Sequence, residues 1–416
     1  MQPSNDTILS PLNRPVYLMA KPAGAACNMR CDYCYYLEKA ALSAPNHTTQ
    51  ASKMSDSTLE EFIKQYIEMQ TSDSVLFTWH GGEPMLRGLD FYKKVVKLQR
   101  RYANGRHIDN ALQTNGTLLN ENWCRFLHDE QWLVGVSIDG PEELHDAHRL
   151  MPNGDKRHGN GSWRQVMRGI RLMQRFDVEW NAMATVNNLT ASQPQAFYHF
   201  FRDMGCHYLQ FTPVVERHRA DGSLALPDEE GELTPWSVNP QQWGNFLCTV
   251  YDEWVRHDVG DIFVQLFDAT LACWAGVAPG VCTMAPTCGH AAVIEADGSV
   301  YSCDHFVFPQ HRLGHLSEGL MNLLYSSRQQ EFGNAKIDTL PSQCRQCQWL
   351  FTCNGECPRL RFATTADGEP GLNYLCEGYR RYFAHVAPSM EFMHNELLNQ
   401  RPPSNVMEWL AGPRPY

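Results

Sequence analysis

Cys27-Asn28-Met29-Arg30-Cys31-Asp32-Tyr33-Cys34 places three thiols at C-x3-C-x2-C spacing near the start of a 416-residue chain. Three cysteines can hold three irons of a cubane cluster and leave the fourth iron without a protein ligand. An open metal position is where a substrate or cofactor coordinates, the logic that separates catalytic from structural zinc sites. Structural zinc is the competing reading, but it wants four closed ligands, and no fourth Cys or His follows at finger spacing. The spacing favours an iron–sulfur centre built for chemistry.

A second set reads Cys282-x5-Cys288-x14-Cys303, then Cys344-x2-Cys347-x5-Cys353-x3-Cys357-x18-Cys376. Eight cysteines suffice for two fully ligated four-iron clusters. Two zinc ribbons would use regular C-x2-C pairs, and only Cys344 and Cys347 make one. Of the 15 cysteines, Cys124, Cys206, Cys248 and Cys273 are left over. The first three lie in or beside apolar segments and read as small buried residues; Cys273 reads as structural.

Regular elements must carry these thiols. Residues 16–20, 75–79, 108–113, 133–138, 180–186 and 208–212 read as strands, separated by helical stretches at 57–70, 91–102, 121–129, 163–176 and 195–204. Strand–helix alternation at this spacing predicts an α/β fold, a parallel sheet covered by helices and closed or partly closed into a barrel. Active sites in such barrels lie at the carboxyl ends of the strands, and the first cysteine run directly follows the first strand. The alternation breaks at 218–240, a stretch rich in Gly, Pro, Asp and Glu that reads as a loop or linker. A helix is expected at 240–257, a hairpin at 291–303 around Asp297-Gly298, and a helical tail from Pro388.

Composition narrows the function. A net charge of −11 argues against nucleic-acid binding, which rests on clustered Lys and Arg. Residues 1–15 lack a cationic region followed by an apolar run, and no stretch reaches the roughly 18 apolar residues that span a bilayer. The expectation is a cytoplasmic protein with no nucleic-acid and no membrane partner. In a reducing compartment so many cysteines suggest metal ligation more than disulfides.

C-x3-C-x-aromatic-C near the start of an α/β chain resembles the signature of radical S-adenosylmethionine enzymes. Gly81-Gly82-Glu83-Pro84 closes the second strand and looks like that family's GGEP motif, which holds the methionine amino group. Ser137-Ile138-Asp139-Gly140 closes the fourth strand and resembles the segment contacting the ribose, and Tyr33 takes the aromatic position beside the adenine. An Arg gripping the methionine carboxylate is expected downstream; Arg149, Arg157 and Arg164 compete, and Arg149 is taken first. The C-terminal cysteines are similar to the SPASM extension of peptide-modifying radical enzymes. By that resemblance Cys282, Cys288, Cys303 and Cys357 hold one auxiliary cluster, and Cys344, Cys347, Cys353 and Cys376 the other. The implied architecture is a partial (β/α)6 TIM-like barrel over 1–235, a linker and helix over 236–272, an iron–sulfur domain containing the hairpin over 273–385, and a helical tail over 386–416.

Two features point further. Cys34-Tyr35-Tyr36-Leu37-Glu38-Lys39 and Tyr301-Ser302-Cys303-Asp304-His305 both resemble anaerobic sulfatase-maturating enzymes, as do Trp180-Asn181-Ala182-Met183 and Gln210-Phe211-Thr212-Pro213. His80 stands before GGEP where some relatives carry Gln. The resemblance implies oxidation of a Cys or Ser, in a C/S-x-P-x-R type motif of an unfolded or nascent sulfatase, to Cα-formylglycine. Implied cofactors are S-adenosylmethionine and three [4Fe–4S] clusters, with a low-potential donor such as flavodoxin or ferredoxin. A thiol of pKa about 8.5 is mostly protonated at neutral pH, so a base helps, and Asp304 beside Cys303 is the candidate. The alternatives are a SPASM peptide maturase forming thioether or carbon–carbon crosslinks, and a non-catalytic iron–sulfur electron carrier.

Overall fold

The computed structural model describes residues 16–36, 53–152, 161–226 and 229–412; residues 1–15, Leu37-Glu38-Lys39 and Arg157 lie outside them. Strands and helices alternate as the periodicity predicts. They are β1 (Tyr17–Ala20), α1 (Asp56–Met69), β2 (Ser74–Trp79), α2 (Leu89–Tyr102), β3 (His107–Thr114), α3 (Glu121–Asp129), β4 (Leu133–Ser137), α4 (Trp163–Arg175), β5 (Trp180–Val186), α5 (Pro194–Asp203) and β6 (Tyr208–Pro213). The expected linker holds a short antiparallel ladder of Arg217–His218 with Glu232–Leu233, then come α6 (Pro240–His257), β7 (Phe263–Val264) and α7 (Gln265–Trp274). The hairpin forms as β8 (Ala291–Ile294) and β9 (Ser299–Tyr301), is extended by β10 (Arg312–His315), and the last long helix is α8 (Cys376–Leu398).

The chain divides into two compact units. The first comprises Met1–Ala26, Lys39–Leu112 and Cys288–Ala335. Its strands lie in the order β10-β9-β8-β1-β2-β3. Tyr17 stands opposite Ala291 and Ala20 opposite Ile294, so β8 runs parallel to β1, while β8, β9 and β10 pair antiparallel. Alternation in β2 buries Val75, Phe77 and Trp79. Helix α1 starts at Ser55, whose hydroxyl accepts from the Thr58 N–H at 3.1 Å, and buries Leu59, Phe62, Ile63, Tyr66 and Ile67 at helical spacing. The Phe62 and Phe77 rings meet edge-on at 5.7 Å, so Phe62→Ala would cost about 3–5 kcal/mol.

The second unit comprises Cys27–Glu38, Gln113–Thr287 and Lys336–Tyr416. Here β4, β5, β6 and β7 lie side by side, all parallel. Asn239 and Gln242 cap α6 reciprocally, with Pro240 at its first position. Helices α6 and α8 meet at two glycines, where a Cβ on Gly378 would lie 2.4 Å from the Pro240 carbonyl oxygen. The sequence predicts helix only from Pro388, but α8 begins at Cys376 and continues through that proline. Pro388 withholds a backbone donor, and the Ser389 hydroxyl bonds the Val386 carbonyl at 2.9 Å. No helix among the described residues is long and apolar enough to cross a membrane.

Candidate active site

In the second unit the first cysteine run is stitched to the loop after β4. Arg30 N–H donates to the Leu150 carbonyl at 2.8 Å and Asp32 N–H to that of His148 at 3.0 Å. The Cys27 sulfur accepts from the Met29 N–H at 3.4 Å and from the Asn115 amide at 3.8 Å, as a cluster thiolate would. Burial pushes the Cys31 thiol up to about 12, so an iron bound there would have to displace its proton. Tyr36 is buried, and the Arg359 guanidinium sits 5.2 Å from the Tyr35 ring centroid while donating twice to the Glu216 carboxylate, at 2.6 and 2.5 Å.

Asp139 is the hub of this half, a role the sequence left unread. Its carboxylate accepts from the Tyr33 hydroxyl, from Arg149 Nε at 2.9 Å, and from the Thr185 N–H and hydroxyl, each at 2.9 Å. Burial would raise this carboxyl, but Arg149 and the donated hydrogen bonds hold it below the usual range. Tyr33 is buried and its phenol is pushed far up by that burial, so it stays neutral. His145 Nδ1 accepts from the Asp139 N–H at 3.2 Å, while Nε2 meets the Ser162 hydroxyl at 2.8 Å, which itself donates to the Arg149 carbonyl. These roles require the neutral Nε2–H tautomer, consistent with burial pushing His145 down to about 3. Ser137, last in β4, accepts from the Gln113 amide at 3.1 Å. Of the competing arginines, Arg149 belongs to this network and Arg164 pairs with Glu142 on the surface.

In the first unit the loop after β1 is clamped to the loop after β2. The N–H groups of His80, Gly82 and Glu83 donate to the carbonyls of Ala20, Gly24 and Ala26 at 2.9, 2.9 and 2.7 Å. Approach this close needs glycine: a Cβ on Gly82 would lie 2.3 Å from the Ala26 oxygen, and Gly81 has φ +128°. Glu83 is fully buried, its carboxylate accepting from the Met85 N–H at 2.9 Å. At the end of β1 the fully buried Lys21 ammonium is ion-paired with Asp304, the residue after Cys303, with Glu295 at 3.9 Å. Burial pushes the His80 imidazole down, against the pull of the Asp304 carboxylate. Lys21 escaped the sequence reading, although a lysine abutting an apolar strand end was a visible signal.

The later cysteines are held by buried polar side chains. In the first unit the Gln329 amide donates to the carbonyls of Gly289 and Ser302, beside Cys288 and Cys303, at 3.0 and 3.1 Å. In the second, Lys336 Nζ donates to the carbonyls of Cys282, Thr283 and Ala285 at 2.7, 2.7 and 2.5 Å. Asn354, Gly355 and Glu356 take positive φ between Cys353 and Cys357, and Arg361 donates to the carbonyls of Asn354 and Gly355 at 2.9 Å each. Cys344, Cys347, Cys353 and Cys376 all line one cavity of about 350 Å³ with Trp349 and Phe383. Among the described residues no three Cys, His, Asp or Glu side chains are gathered as ligands of a single metal ion. Four cysteines bordering one cavity are the donor set that a four-iron cluster would take. Cys124, Cys206 and Cys248 are buried, and Cys273 is half-buried.

Residues 22–201 match the Radical SAM superfamily, and residues 282–348 match SPASM, an iron–sulfur cluster-binding domain. The chain is 55% identical over 412 residues to the serine-type anaerobic sulfatase-maturating enzyme of Bacteroides thetaiotaomicron, covering 97% of each. It is 31% identical over 388 residues to the cysteine-type enzyme of Clostridium perfringens, covering 92% of this chain and 99% of that one. The solved structure of native anSMEcpe with bound AdoMet and Kp18Cys peptide superposes with a TM-score of 0.79 at 31% identity, over 92% of this chain and 99% of that one.

Proposed function

This chain belongs to the anaerobic sulfatase-maturating enzymes, and from that membership we propose that it converts a serine of a sulfatase polypeptide to Cα-formylglycine. The family's reaction oxidises a Cys or Ser side chain, using S-adenosylmethionine and [4Fe–4S] clusters. The choice of serine rests on one observation: a serine-type relative is matched at 55% identity over nearly the whole chain, a cysteine-type one at 31%.

When bound, S-adenosylmethionine and the clusters supply the radical that removes a Cβ hydrogen and the sink for the second electron. Cys27, Cys31 and Cys34 hold the open-site cluster; Cys282, Cys288, Cys303, Cys344, Cys347, Cys353, Cys357 and Cys376 hold the auxiliary ones. Gly81, Gly82 and Glu83 take the methionine amino group, Tyr33 borders the adenine and Ser137 the ribose. Arg149 offers the methionine carboxylate the guanidinium nitrogens that its bond to Asp139 leaves over. Asp304 takes the hydroxyl or thiol proton at its carboxylate, held in place by Lys21. The catalytic barrel is read over 1–235, the linker over 236–272, the auxiliary-cluster domain over 273–385 and the tail over 386–416. The enzyme works in the cytoplasm on an unfolded or nascent sulfatase, with a flavodoxin or ferredoxin as donor.

The test is anaerobic turnover of two sulfatase peptides that differ only in Ser or Cys at the modified position, read by mass spectrometry with aldehyde trapping. Aldehyde from the serine peptide is expected. Aldehyde from the cysteine peptide alone would sink the serine assignment, and 5′-deoxyadenosine without aldehyde from either would return the crosslinking reading.

A further inference from the structure

At the opposite end of the second unit's strands from Asp139 and Thr185 lies a cleft of about 750 Å³. It opens on the first residues of β4, β5, β6 and β7, whereas Asp139 follows the carboxyl end of β4 and Thr185 lies near that of β5. Barrel chemistry uses the carboxyl ends, so a cleft at the amino ends is not explained by the reaction. Its size is that of a small-molecule site.

The lining is specific. Tyr208 and Phe263, paired in register, stack with ring centroids 5.3 Å apart at 14°, yet remain 54% and 42% exposed. Asn181 and Gln210 line the cleft from β5 and β6. Asp268, in the first turn of α7, completes it, with exposed Glu179 at one edge. Among the described residues Asp268 makes no hydrogen bond or ion pair, and burial pushes its carboxyl up to about 6.

A carboxylate half withdrawn from water without a cation is unfavourable, and a neutral apolar occupant would bury it further with no compensation. An anion would meet both Asp268 and Glu179. A cation satisfies the carboxylate, and an aromatic pair is the surface on which a cation with an apolar stem gains most. A planar fork of donors suits a carboxylate flanked by side-chain amides better than a compact ammonium does. We infer that this cleft is a binding site for a guanidinium group on an alkyl stem, separate from the radical site.

Agmatine, titrated calorimetrically into the anaerobically reconstituted holoenzyme, is the probe. Saturable one-to-one binding is expected, weakened about tenfold or more in Asp268→Asn and severalfold in Tyr208→Leu. Iron content and S-adenosylmethionine cleavage should be unchanged in both variants, which reports that they are folded. Putrescine, with ammonium groups on the same stem, should bind several times more weakly. No saturable binding, equal affinity in Asp268→Asn, or putrescine binding as tightly as agmatine would each overturn the assignment. Competition with an arginine-containing peptide and its norleucine counterpart identifies the source of the group. Displacement by the first alone marks a peptide side chain; displacement by neither marks a free small molecule.

Discussion

Lys21, fully buried at the end of β1, is ion-paired with Asp304, which follows the second strand of the hairpin. Nothing local joins them: β1 pairs with β8, and the hairpin partner of β8, β9, leads into Asp304. The ammonium gives Asp304 a fixed orientation beside Cys303, the position a base would need.

Asp304→Asn keeps the shape and removes proton-accepting power. Loss of a general base lowers rate by about 10²–10⁴-fold, a barrier increase of roughly 3–5 kcal/mol. Cleavage of S-adenosylmethionine precedes deprotonation and should survive. The ratio of aldehyde to 5′-deoxyadenosine should therefore collapse, and a near-normal ratio with intact clusters would make Asp304 structural.

Lys21→Met strips Asp304 of its counter-charge. Removing one partner of a buried pair costs roughly 3–5 kcal/mol, with the lower end expected because Asp304 keeps some solvent contact. Thermal melts should show this loss, and the double variant Lys21→Met/Asp304→Asn should recover most of it. Aldehyde yield should stay low in the double variant, which separates stability from chemistry.

Gly82→Ala drives a methyl into the Ala26 carbonyl, 2.3 Å away, so the clamp between the two loops must open. The cost is on the order of 1–3 kcal/mol of stability. S-adenosylmethionine affinity, measured by equilibrium binding to the reconstituted protein, should fall along with the melting temperature. Unchanged affinity would mean that the clamp does not shape the cofactor site.

Three cubanes require roughly 12 irons per chain, and Cys347→Ala, which opens the four-thiol cavity, should leave about 8. Iron analysis of both proteins checks this, with 5′-deoxyadenosine formation retained in the variant. Stoichiometric zinc with about 4 irons would restore the zinc-ribbon reading.

Asp268 has its carboxyl raised from 3.8 to about 6 by burial, so the folded chain binds that proton more tightly than the unfolded one. The stability tied to the proton is whole below about pH 4 and is lost as pH rises through about 6. Above that the ionised group costs roughly 2–3 kcal/mol, less whatever solvent screening the open cleft provides. Asp268→Asn should raise the melting temperature near pH 8 and change it little near pH 4. A variant no more stable at either pH would mean that solvent already compensates the charge.

The candidate ligands could be picked out of the sequence because C-x3-C-x2-C and C-x2-C put thiols within reach of one centre, whereas the division of the eight later cysteines into two sets rests on resemblance and not on spacing. The strand–helix alternation was legible for a similar reason, since burial on one face imposes its period on the residues. Two-residue β7 was not, because two residues carry no period. The start of α8 was not, because Pro388 reads as a boundary when only local signals are weighed.

What the tertiary structure decided are the partners. Asp139 stood inside a quoted motif, yet only folding brings Tyr33, Arg149 and Thr185 to its carboxylate. Lys21 finds Asp304, and Gln329 ties the backbone beside Cys288 to that beside Cys303, across separations at which no spacing rule operates. Electrostatic and hydrogen-bond pairing depends on distance through space, and sequence records only distance along the chain.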